Sequence, residues 1–91
     1  MNLLEQSHFI DMNNNFQNNG WVLSHDECEI KYTLPGTPYK HFSIKLQKSK
    51  TVVSIPILDS DAQYTTNVGD TLCACVFLQK HLNNFLANND N

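Results

Sequence analysis

Three runs of alternating apolar residues lie in the middle of the chain, and they do not keep one phase. In the first, Cys28, Ile30, Tyr32 and Leu34 alternate with Glu29, Lys31 and Thr33. In the second, Phe42, Ile44 and Leu46 alternate with Ser43, Lys45 and Gln47. In the third, Val53, Ile55 and Ile57 alternate with Val52, Ser54 and Pro56. Period-two alternation marks strands with one buried face. The apolar set is even-numbered up to Leu46 and odd-numbered from Val53, and a straight strand cannot change phase without swapping faces. The chain must therefore turn near Lys48-Ser49-Lys50. Pro35-Gly36 supplies the other turn, with proline fixing one backbone angle and glycine free to take the opposite sign.

Two helical patterns flank this meander. Over residues 2–17, Phe9, Met12 and Phe16 fall on one stripe. Asn2 and Glu5 stand at capping-box spacing, and Asn18, Asn19 and Gly20 end the pattern. Residues 59–70, DSDAQYTTNVGD, read as a loop whose last aspartate caps a second helix from Thr71 to about Leu86. Its apolar stripe is Cys75, Leu78, Leu82 and Phe85, widened by Leu72, Val76 and Leu86. With 91 residues there is room for one domain. The expectation is a two-layer α+β domain over 1–87, ordered α-β-β-β-α, with both helices on one face of a three-stranded antiparallel meander and a polar tail at 88–91.

The charge is uneven. Net charge is −3, yet Lys31, Lys40, Lys45, Lys48 and Lys50 fall in a window that holds no acid. All six basic residues are lysine. In the expected fold Lys31 and Lys45 point to the open sheet face, and Lys40, Lys48 and Lys50 lie near the hairpin tips. A solvated face is one reading, since edge lysines also discourage strand-to-strand aggregation. Phosphate contact is the other. Against it stand the lack of arginine and of an aromatic on that face to stack bases.

The order α-β-β-β-α resembles that of double-stranded RNA-binding domains and of the small proteins that hold the Alu end of signal recognition particle RNA. The first family opens its last helix with a lysine cluster. Here that position reads VGDTLCAC, so the resemblance implies no RNA contacts at these residues.

Catalytic and metal chemistry find little footing. Cys73 and Cys75 form C-x-C, and His25-x-x-Cys28 would complete four zinc ligands. On a helix, however, residues two apart diverge by about 200°, and on a strand residues three apart face opposite sides. The cysteines read instead as small apolar filler. Asp59, Asp61, Gln63, Asn67 and Asp70 match a calcium-loop spacing, but Tyr64 stands where the sharp turn needs glycine. No nucleophile motif or phosphate loop occurs. No apolar run is long enough to span a bilayer, and no signal peptide is evident. Three cysteines suit a reducing compartment, cytoplasmic or nuclear.

The sequence therefore predicts a non-catalytic module without cofactor or metal that binds a protein partner or a second copy of itself. Its contacts are expected along the edge strand 21–34 and the open face, through Glu29, Lys31, Thr33, Lys40, Ser43, Lys45, Gln47, Lys48 and Lys50. The alternative is RNA binding through the lysines of 31–50.

Overall fold

The computed structural model describes residues 5–57 and 60–89. Helix α1 spans Ser7–Asn18, strands β1 to β5 span Val22–His25, Glu29–Leu34, Thr37–Gln47, Lys50–Pro56 and Gln63–Val68, and helix α2 spans Thr71–Asn89. The five strands form one antiparallel sheet in the order β1-β2-β3-β4-β5. The class is α+β. The three-stranded meander is corrected to five strands, and with it the element order shared with the RNA-binding families lapses.

The segment 21–34 is two strands. Asp26 makes the turn between them: its Oδ1 accepts hydrogen bonds from the backbone N–H of Cys28 and Glu29 at 2.8 and 2.9 Å. An aspartate so placed replaces a backbone turn with its own side chain. The two N–H groups hold the Asp26 carboxyl below its ordinary range. Of these two strands, β1 is at a sheet edge and β2 is interior, paired on both sides. At the other side β4 and its Pro56 are also interior, because 63–68 is not loop but the edge strand β5.

Both predicted hairpins are present. Gly36 takes φ +91° after Pro35, the angle that a type II turn asks of its third residue. Lys48 and Ser49 connect Gln47 to Lys50, which stand opposite each other.

Helix α1 begins at Ser7, and Gln6 at its N-cap makes no side-chain capping bond. Asn2 lies outside the described residues. The helix ends in a tight C-terminal motif: Trp21 N–H donates to Phe16 O and Gly20 N–H to Gln17 O, both at 3.1 Å, with Gly20 at φ +88°. This pairing satisfies the last carbonyls and drives the next side chain back onto the helix. That side chain is Trp21, whose ring meets Phe16 edge-on at 5.9 Å.

The core lies between the helices and one sheet face. Phe9, Met12 and Phe16 of α1, Cys75, Leu78, Leu82 and Phe85 of α2, and Ile30, Tyr32, Phe42, Ile44, Val53 and Ile55 of the sheet are all buried in it. Ile44 stands opposite Val53, so Ile44 and Ile55 share a face across the phase change. An aromatic cluster fills the centre: Phe16 stacks on Tyr32 at 4.2 Å, and Trp21 meets Phe42 and Phe85 edge-on. Each large side chain so buried contributes about 1.5–3 kcal/mol. Cys28, counted with the apolar stripe, is exposed, as is Cys73; only Cys75 is buried filler. Leu72 and Val76 do not widen the α2 core stripe, being 50% and 58% exposed. Helix α2 runs three residues past Leu86, to Asn89.

Candidate interaction surface

The register sorts the nominated residues. Glu29 stands opposite Lys45, Lys31 opposite Ser43, Thr33 opposite His41 and Gln47 opposite Lys50. Directly opposed residues point to the same face, so these groups share the open face. Lys48 sits at the β3–β4 tip. Lys40 departs from the set: its Nζ lies 5.8 Å from the centre of the Phe85 ring, on the helix side. The lysines are thus divided, with Lys31, Lys45 and Lys50 on the face and Glu29 among them. At the middle of that face a row of opposed residues runs across all five strands, Ser24, Lys31, Ser43, Ser54 and Thr65, hydroxyl side chains apart from Lys31. Ser43 and Ser54 are buried despite their position.

A second surface lies at the β5 edge. From Ala62 to Gly69 the chain carries no charge and no proline, so it lacks the usual guards of an edge strand. Ile57 N–H donates to Ala62 O at 3.1 Å, which makes 57 and 62 a directly bonded pair. Bonded and non-bonded pairs alternate along an antiparallel ladder. The partners Ile55/Tyr64, Val53/Thr66 and Thr51/Val68 are then bonded pairs. The backbone groups of Gln63, Thr65 and Asn67 point away from β4, at the sheet edge. On β1 the same reasoning starts from Asp26 N–H donating to Glu29 O. It leaves only Leu23 and His25 facing outward on that four-residue strand.

Beside β5 runs an apolar groove of about 440 Å³, lined by Val68, Leu72, Cys73, Val76, Phe77 and Lys80. Asp70 positions its helical wall. The Asp70 carboxylate accepts from Cys73 N–H at 2.8 Å, capping α2 as the sequence predicts. That bond holds the Asp70 carboxyl below its ordinary range, while hydrogen bonding to Asp70 pushes the exposed Cys73 thiol upward. Tyr64, half exposed, stands on the helix side of β5, in line with Thr66 and Val68.

The sequence analysis reads 59–70 as a loop, and the structure corrects this to the edge strand β5 with its neighbouring groove. The signal was the run Tyr64-Thr65-Thr66, all good strand formers, followed by Val68. The calcium-loop spacing dissolves with it: Gln63 and Asn67 lie along an extended strand, Asp70 caps a helix, and Asp59 is outside the described residues. Among the described residues no group of three His, Cys, Asp or Glu side chains converges at metal-binding distance. No described helix is long and apolar enough to cross a membrane. Comparison with known protein families, curated proteins and solved structures finds no match.

Proposed function

We propose that this chain is a non-catalytic protein-interaction module that accepts an extended segment of a protein partner along β5, with the neighbouring α2 groove taking the partner's apolar side chains. The carrying observation is the adjacency of the two features. An unguarded edge offers backbone donors and acceptors at Gln63, Thr65 and Asn67, and an apolar groove opens beside it. Strand addition uses this combination: main-chain bonds supply affinity and side-chain pockets supply specificity.

A contact at β5 lies away from the 21–34 edge and open face that the sequence suggests. The 21–34 segment offers only the short β1 as a free edge. The nucleic-acid reading has less behind it, since Lys40 turns to Phe85 and Glu29 stands opposite Lys45.

The test is differential capture combined with amide exchange. Baits are the native chain, the double variant Leu72→Lys/Val76→Lys, and Lys31→Glu/Lys45→Glu. A partner lost with the first variant, retained with the second, and slowing exchange at the Thr65 and Asn67 amides is the expected result. Loss with Lys31→Glu/Lys45→Glu alone, with no protection on β5, overturns the proposal.

A further inference from the structure

On that reading of β5, we infer that the strand it accepts is the β5 of a second copy of this chain, so that two five-stranded sheets join across a twofold axis at Thr65.

A twofold interface sets one patch against its own copy, so that if residue i meets j then j meets i, and the surface must complement itself. With a net charge of −3 two copies repel, and the contact must be free of acids. The stretch 62–69 is. Asp61 and Asp70 fall beyond β5 at either end.

The outward backbone groups fix the register. Gln63, Thr65 and Asn67 must pair with one another. Antiparallel pairing centred on Thr65 puts Thr65 opposite Thr65 and Gln63 opposite Asn67, leaving no outward N–H or C=O of 63–67 without a partner. On the helix side the same register puts Tyr64 opposite Thr66. Thr–Thr and aromatic–β-branched pairs are among those that favour strand association, and no like charges meet. Opposed residues share a face, so both α2 helices lie on one side of the joined sheet. Leu72 and Val76, which the core leaves exposed, then flank the seam.

Thr65 is exposed on the open face, so a charged side chain there fits the single chain but meets its own copy across the axis. The native chain, Thr65→Lys and Thr65→Glu are compared by light scattering at about 100 μM, where a 1 μM interaction leaves most chains paired. Circular dichroism confirms that each variant is folded. The native chain is expected at twice the 10.4 kDa chain mass. Each variant alone is expected as a monomer, and an equimolar mixture of the two is expected to restore the dimer.

A monomeric native chain overturns the second copy as occupant while leaving β5 open to a different protein, which the capture experiment decides. A dimer that survives in both variants places the contact on another surface and equally overturns the inference.

Discussion

The side-chain amide of Gln63 on β5 binds both backbone groups of His41 on β3, two strands away. Nε2 donates to His41 O at 2.8 Å, and Oε1 accepts from His41 N–H at 3.3 Å. The β3–β4 ladder stops at Ser43/Ser54, and its continued register sets Pro56, which has no N–H, opposite His41. Gln63 supplies the donor and acceptor that the ladder lacks there, and also donates to Ser54 Oγ at 2.9 Å.

Removing that bridge should destabilise the fold. Gln63→Ala is expected to cost about 1–2 kcal/mol, because each hydrogen bond contributes ~0.5–1.5 kcal/mol net and partners in a half-buried site are left unmade. Gln63→Glu keeps an acceptor and loses the donor, so it should be no milder. Urea unfolding of both variants checks this; native stability in each would show the bridge to be idle.

Alkaline stability should depend on two buried acids. Burial pushes the Cys75 thiol up to about 11 and the Tyr32 hydroxyl above its ordinary value. Both are raised, so the unfolded chain ionises first, and stability present below pH 9 falls as pH climbs through the Cys75 value. Cys75→Ala should flatten that decline between pH 9 and 11. Tyr32→Phe should flatten the later part and cost about 1 kcal/mol at neutral pH, since the hydroxyl donates to Asn13 Oδ1 at 2.9 Å. Thermal melts across this pH range provide the measurement.

The acid limb has the opposite sign. The Asp70 carboxyl is held below its ordinary value by Cys73 N–H, so it contributes stability above the unfolded carboxylate pKa and loses it as pH falls through the folded value. Asp70→Ala should lower Tm at pH 7 and converge with the native protein once both are fully protonated. Parallel curves down to pH 2 would contradict the cap.

The three thiols should differ in reactivity. Cys28 and Cys73 are exposed and should accept maleimide in the native state, whereas Cys75 should be modified only after unfolding. Asp70→Asn should speed the reaction of Cys73, because the carboxylate that raises its pKa is gone. Peptide mass spectrometry reads all three sites.

The helices and the central hairpins were legible because their apolar residues keep time. Phe9, Met12 and Phe16, and Cys75, Leu78, Leu82 and Phe85, bury as their spacing requires. The inversion between Leu46 and Val53 located the β3–β4 turn. A like inversion, from Trp21 and Leu23 to Ile30 and Tyr32, marks the β1–β2 turn. No glycine or proline punctuates it, because the Asp26 side chain makes that turn. Strand β5 was hidden for another reason: an edge strand buries little, so Gln63, Thr65 and Asn67 give no apolar rhythm. The exposure of Leu72 and Val76 depends on how α2 is rolled against β4 and β5, which spacing on one helix does not determine.

Every strand pairs with its neighbour in sequence, yet the wall that closes the core is built last. As the polypeptide leaves the ribosome, the meander can zip up from short-range contacts alone, but Ile44, Val53 and Ile55 stay uncovered until Leu78, Leu82 and Phe85 have been translated. The interval between those two events is when the nascent sheet is most vulnerable to sticking to its neighbours.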